Sequence, residues 1–225
     1  SVVERVSEVA RAWGKEVALA SDEPGFIVNH VARPYYLEAF RILEDGLATP
    51  KQIDHAMTEL GGFRMGPLSL TDLIGQDVNT KTTRSVWEQL DQPPLLHPSR
   101  LQEQLVVDGH LGRKTGQGVY RYADGDAEPA LHVEPKPMEI PSELQEAVTS
   151  FCHKALDTHG DDRQHYVFAR ILVAVIAQAV LAKRRGVATE GDIDTALRFG
   201  VNYPKGPFTW AEEIGWPLVQ TLLQR

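Results

Sequence analysis

The segment from Gly46 to Gly75 occurs twice in this chain. Shifted by 140 residues it lies on Gly186 to Gly215 without a gap, and ten of its thirty positions keep the same residue. Those ten are Gly46, Ala48, Thr49, Ile53, Asp54, Ala56, Gly66, Pro67, Ile74 and Gly75. Self-similarity at a fixed offset marks a supersecondary unit used more than once. The retained residues are the punctuation of helices: glycine closes one, threonine caps the next, and Gly-Pro opens a third. Ile53 and Ile193 fall on the apolar face of the capped helix. Beside them, Asp54 and Asp194 read as exposed or capping carboxylates.

Around the repeat the chain reads as mainly helical. Residues 1–12 carry Val2, Val3, Val6 and Val9 at helical spacing, Gly14 follows as a stop, and 15–21 read as a short strand. Phe26 to Gly46 reads as one long helix kinked at Pro34. Leu70, Leu73 and Ile74 are expected to face inward. Gly112 to Gly118 reads as a tight glycine-rich turn running into an edge strand. Residues 123–141, rich in proline and acid, read as a linker. Helical pattern resumes over 142–155 and again from His165 to Arg185. The stretch Val173 to Leu181 is apolar on nearly every face, which buries its helix or places it at a subunit interface.

Composition removes several function classes. There are 23 Lys and Arg against 31 Asp and Glu, a net charge of -8. That balance opposes a nucleic-acid-binding surface, which displaces counterions with clustered positive charge, and it opposes an anionic membrane surface. The longest apolar run, Ile171 to Ala182, is interrupted by Gln178 and reads as too short for a bilayer span. The single cysteine, Cys152, can build neither an intrachain disulfide nor a cysteine-based zinc site, and it fits a reducing cytoplasm. No two histidines stand four apart around a carboxylate, so no metal site is expected, and there is no G-x-S-x-G elbow. Gly112-Arg-Lys-Thr115 has Val107 where a phosphate loop needs its first glycine. Lys183-Arg184-Arg185 reads as a complement to a helix dipole rather than a phosphate-binding site. The chain opens Ser-Val-Val-Glu-Arg, with no initiator methionine and no apolar signal core, which reads as a chain that has been cut or processed.

The two copies differ most at the start of their long helices. Asn29 and His30 in the first stand where the second has Ala169 and Arg170. A polar amide in an apolar run is costly to bury unless something uses it. Asn29 is therefore read as carrying a function that the first copy alone retains, or as a helix-start residue bonding its own backbone.

A set of short motifs carries a resemblance. Asp22-Glu-Pro-Gly-Phe-Ile-Val-Asn-His30, Glu38-Ala39, Ile53-Asp54, Met65-Gly-Pro67, Asp72-Leu-Ile-Gly75 and Gly112-Arg-Lys-Thr-Gly-Gln-Gly118 together resemble the C-terminal domain of the 3-hydroxyacyl-CoA dehydrogenases. The second copy, with Asn202-Tyr-Pro-Lys-Gly-Pro207, resembles the repeat of that family's long members, enzymes of phenylacetate catabolism among them. The resemblance implies two helical domains in tandem, like the C-terminal domain of 6-phosphogluconate dehydrogenase, at 22–122 and 142–225 with the linker 123–141 between. It makes residues 1–21 the remnant of an NAD-binding Rossmann domain.

The same resemblance implies the chemistry. Family members oxidise a 3-hydroxyacyl-CoA by hydride transfer to NAD, with a His–Glu general base that lies upstream of this chain. The one family active-site residue in the helical part falls on Asn29, which would hydrogen-bond the substrate oxygen or hold the histidine. Met65, Pro67 and Leu70 are candidate substrate contacts. His30 stands where the family usually has arginine. The implied partners are an acyl-CoA and a second copy of the chain in a homodimer. No NAD is expected on this chain alone, and a non-catalytic helical assembly module is the alternative reading.

Overall fold

A computed structural model of the chain describes residues 1–123, 126–138, 140–157 and 159–224. Asp124, Gly125 and Glu139 of the expected linker lie outside the described residues. Helix α1 (Val2–Ala12) opens on a capping box between Ser1 and Glu4, and its valines stay exposed. The expected strand over 15–21 does not form. With no neighbouring strand to satisfy its backbone, this segment bonds to the second half instead: Leu19 N–H donates to Asp192 Oδ1 at 3.0 Å, and Ser21 N–H to the Val187 carbonyl at 2.8 Å.

The expected helix from Phe26 to Gly46 is two helices, α2 (Val28–Val31) and α3 (Arg33–Glu44), broken at Ala32. Pro34 has no N–H and disfavours helical backbone in the residue before it, so it sits in the first turn of a new helix. Helix α4 (Pro50–His55) is capped by Thr49, with Gln52 reciprocating, and runs into a π-helical turn, Ala56–Leu60. Helices α5 (Pro67–Ile74), α6 (Gln76–Gln89) and α7 (Arg100–Val107) follow. Strand β1 (Tyr120–Ala123) then pairs antiparallel with β2 (Asp126–Pro129), Tyr120 opposite Pro129, so the linker begins as a hairpin.

The second half repeats the order. After α8 (Ser142–Ala155) comes the long α9 (Asp162–Arg184), then α10 (Glu190–Thr195), another π-helical turn at Ala196–Gly200, α11 (Pro207–Ile214) and α12 (Trp216–Leu223). Helix α9 runs through the centre and packs on α3, α8, α11 and α12. By length and composition it could cross a membrane, contrary to the expectation from its short, Gln178-interrupted apolar run, because polar interruptions are tolerated over a longer window. Within this fold 72% of that window is buried, which is the behaviour of a core helix.

One continuous apolar cluster reaches from Ile27 through Phe40, Met57, Phe168 and Ile176 to Val219. Each fully buried large side chain in it contributes roughly 1.5–3 kcal/mol. The halves thus share a core, and matching positions meet across the seam: Phe63 and Tyr203, 140 residues apart, lie edge to face at 4.9 Å. An ion-pair network closes the same seam. Arg170 on α9 reaches both Glu38 and Asp45 at 2.9 Å, and Arg41 pairs with Glu38 as well. Burial works to lower the Arg170 pKa, and its two carboxylates more than reverse that.

Candidate active site

The repeated Ile-Asp and Gly-Pro motifs are one structural device. Asp54 accepts from the N–H groups of Leu68 at 2.9 Å and Ser69 at 3.0 Å, and from the Ser69 hydroxyl, so it caps the start of α5 from outside that helix. Asp194 does the same for α11 through Phe208 and Thr209, each at 2.9 Å. The carboxylate comes so near that a Cβ on Gly66 or Gly206 would lie 2.3 or 2.0 Å from it. Both aspartates are therefore capping groups. Pro67 is buried at the first turn of the helix so capped. Ile214 is buried, but its counterpart Ile74 and its neighbour Leu73 are 37% and 49% exposed, against the inward orientation expected of them.

The glycine-rich turn has a comparable explanation. Asp72, 1% exposed, accepts from Val119 N–H at 3.0 Å, Tyr120 N–H at 2.9 Å, the Tyr122 hydroxyl at 2.9 Å and Gln76 Nε2 at 2.6 Å. A Cβ on Gly118 would stand 1.9 Å from Asp72 Oδ1. The turn and the chain that follows it fold round the Asp72 carboxylate. A dinucleotide phosphate does not fit there, and among the described residues no strand leads into a glycine-rich helix start.

The chemistry-bearing side chains gather at α2. The chain enters this helix through Gly25 at φ 81° and Phe26 at φ 48°, a left-handed conformation that is unusual for an aromatic residue. This turn leaves Phe26 exposed and α2 beginning at Val28. Asn29 is exposed, not buried, so the argument from the cost of burying its amide does not apply. The buried neighbour is His30, 0% exposed, with neither ring nitrogen in a hydrogen bond of normal geometry. Burial holds its imidazole below 6.5, with the nearby Pro24 carbonyl working in the opposite direction. The Asn29 side chain does not bond its own backbone. Its Oδ1 accepts from Arg33 at 3.1 Å. Arg33, one turn further on and 4% exposed, also donates to Thr83 Oγ1 at 3.3 Å and lies 4.8 Å over the Tyr36 ring. The sequence reading missed Arg33, although its spacing of four from Asn29 puts the two on one helical face.

A cavity of about 320 Å³ lies where the halves meet, lined by Met65 and Leu70 together with Tyr35, Phe63, Asn202 and Tyr203. The structure thus brings Met65 and Leu70 together, and it keeps Pro67 out of this lining. Tyr203, from the second half, is a residue that periodicity in the first half could not have supplied.

The fold defines a helical domain with an exposed amide at Asn29, held by the buried Arg33, and a separate cavity where the halves meet. Comparison with known proteins makes that specific. The family described as 3-hydroxyacyl-CoA dehydrogenase, C-terminal domain, matches residues 25–122 and 166–225. The chain belongs to that family. It is 34% identical to the 3-hydroxyadipyl-CoA dehydrogenase of Escherichia coli K12 over 99% of its own length and 59% of the relative's. It is 40% identical to the mitochondrial hydroxyacyl-coenzyme A dehydrogenase of Sus scrofa over 53% of this chain and 38% of that one. A crystal structure of 3-hydroxybutyryl-CoA dehydrogenase from Escherichia coli K12 superposes with a TM-score of 0.79 at 34% identity, covering 99% of this chain and 60% of that one. The chain therefore spans about three-fifths of its long relatives.

Proposed function

We propose that this chain is the substrate-closing helical part of an NAD-dependent enzyme that oxidises (S)-3-hydroxyacyl-CoA to 3-ketoacyl-CoA, in the cytoplasm. The observation that carries the reading is the Asn29 amide. A guanidinium has only donors, so Arg33 can engage Asn29 only through Oδ1, and the exposed Nδ2 is left to donate outward. A donor fixed before reaction stabilises charge as it develops on a substrate oxygen. Of the two roles implied by the family, this geometry favours contact with the substrate oxygen.

NAD and the His–Glu base belong to a domain outside this chain, and the chain by itself is inactive. Two features support reading residues 1–21 as the end of that domain: α1 leaves Val2, Val6 and Val9 uncovered, and the relatives are longer. The shared caps of α4 and α10, and of α5 and α11, support reading 22–122 and 142–225 as copies of one module. Met65 and Leu70 are assigned to the acyl chain through their cavity, and Pro67 supports the helix that holds them. The relatives' names include acyl groups ending in a methyl, hydroxybutyryl, and in a carboxylate, hydroxyadipyl.

The test joins an NAD-binding domain ahead of Ser1 and follows NAD reduction with 3-hydroxyacyl-CoA. Turnover is expected, Asn29→Ala lowers kcat by about 10²–10³, and Ala169→Asn leaves it unchanged. Full activity in Asn29→Ala would remove the role of Asn29, and an inert fusion would remove the dehydrogenase reading. One observation favours assembly as well: an apolar groove beside Leu181, Trp216 and Leu223 suits a homodimer. Dimerisation by light scattering without any acyl-CoA binding would favour the pure assembly module.

A further inference from the structure

Each half of the molecule holds the chain that enters the other. The chain entering α9 is fixed on the first half: Lys136 N–H donates to the Gly46 carbonyl at 2.9 Å, and the Arg163 guanidinium donates to the Leu47 carbonyl. The chain entering α2 is fixed on the second half at the matching places, 140 residues on. Ser21 donates its hydroxyl to the Gly186 carbonyl and its N–H to the Val187 carbonyl. Glu23 pairs with Arg185 at 3.6 Å.

The cap of α10 adds a contact that the cap of α4 does not make. In the first half Gln52 reaches back to the Thr49 N–H at 2.9 Å and completes the cap of its own helix. At the matching place Asp192 is one carbon shorter. Its Oδ2 takes the Thr189 hydroxyl at 2.6 Å, and its Oδ1 takes the Leu19 N–H at 3.0 Å. A carboxylate is the stronger acceptor of the two. The second half thus ties down residues 19–23. The tie lies close to the candidate site, because the buried His30, next to Asn29, senses the charges of both Glu23 and Arg185. Beyond the tie, Gly14 stands at φ 69° with open space around it, between the tied segment and the uncovered α1.

Resting on the reading of residues 1–21 as the end of the NAD-binding domain, we propose that the second half anchors the segment joining that domain to the Asn29 module, with Asp192 a positioning residue for hydride transfer. The half that carries Ala169 in place of the amide therefore keeps a part in the reaction. The free tether ends at the tie rather than at α2, so the domain closes over Asn29 from a fixed point. A shorter tether raises the effective concentration of the joined domain. A displacement of about 1 Å at the reacting atoms costs about a hundredfold in rate.

The test restores the NAD-binding domain and imports the residue of the first half. Asp192→Gln caps its own helix as Gln52 does and releases Leu19. Its kcat with 3-hydroxybutyryl-CoA falls about ten- to a hundredfold, while the melting temperature and the affinity for NAD, titrated without acyl-CoA, stay unchanged. Asp192→Asn, which keeps an Oδ1 acceptor for Leu19, recovers most of the loss. An unchanged kcat, a loss that comes with weaker NAD binding or a lower melting temperature, or no recovery in Asp192→Asn would overturn the proposal and leave Asp192 a capping residue. An enzyme inert before any substitution would instead count against the dehydrogenase reading. In that event amide exchange on this chain decides. A Leu19 N–H that exchanges slowly, and faster in Asp192→Gln, supports the anchor; one that is fast in both or slow in both overturns it.

Discussion

The helices α2 and α3 and the helix α9 are two solutions to one pattern. Both routes end on a glycine, Gly46 or Gly186, and both feed a threonine-capped helix. In the second half the route is a single 23-residue helix with Ala174 in its interior. In the first, Pro34 occupies the matching position and the helix breaks at Ala32. The break turns α2 so that Asn29 is exposed and His30 buried. At the matching places α9 carries Ala169, buried, and Arg170, committed to the seam. One half therefore scaffolds while the other is bent to present polar groups. A single imino acid accounts for much of the difference.

The comparison can be broken first by exporting the bend. Ala174→Pro places a proline in the buried middle of α9, removes a helix hydrogen bond and pushes its ring into the preceding turn. It should cost about 3 kcal/mol or more by urea denaturation. A loss below about 1 kcal/mol would mean that α9 tolerates the geometry of α2 and α3, and that the bend is not what separates the halves.

A smaller effect sharpens the contrast between the capping aspartates. Asp54 is buried and also accepts from the Tyr120 hydroxyl at 2.9 Å, whereas Asp194 is only half-buried and holds α11 alone. Asp54→Ala strands several buried donors and should cost about 3 kcal/mol. Asp194→Ala resembles the loss of an ordinary N-cap, about 1 kcal/mol. Equal costs in chemical denaturation would show that the Tyr120 contact adds nothing.

The smallest effect is a pH dependence. His30 and His165 both have pKa values lowered by burial, His165 also by His153 and His159. An imidazole whose folded value lies below its unfolded 6.5 binds fewer protons when folded, so stability rises with pH across that window and is lost on acidification below about 6.5. His30→Gln should flatten part of this slope and leave the part due to His165. An unchanged slope in denaturation midpoints between pH 7 and pH 5 would assign the effect to the second half alone.

Much of this molecule was legible from local chemistry. Thr49, Thr189, Gly46 and Gly186 end or begin helices as their types require, because capping depends on backbone groups only a few residues away. The turn at Gly112 to Gly118 was also readable as a turn, although what it wraps, Asp72, was not. The strand expected over 15–21 failed for the same reason: pairing needs a neighbour, and the sequence does not say whether one is near. Ile74 and Leu73 fit an inward stripe by spacing and nonetheless lie exposed. The site was half legible. Motifs picked out Asn29, but its exposure, the contact with Arg33 and the arrival of Tyr203 lay beyond them.

Taken alone, the sequence determined the repeat, the threonine caps and glycine stops of its helices, a kink at Pro34 and the family to which these motifs belong, since each is encoded within a turn or two of chain. Only the tertiary structure decided that the halves share one core, that Phe63 and Tyr203 meet at its seam, and that Arg33 is buried beside Asn29 without a counter-charge. The physical reason is that burial and ion pairing are set by what packs against a residue from elsewhere in the chain. For Arg170 that is Glu38 and Asp45, and for Arg33, among the described residues, it is neutral groups alone.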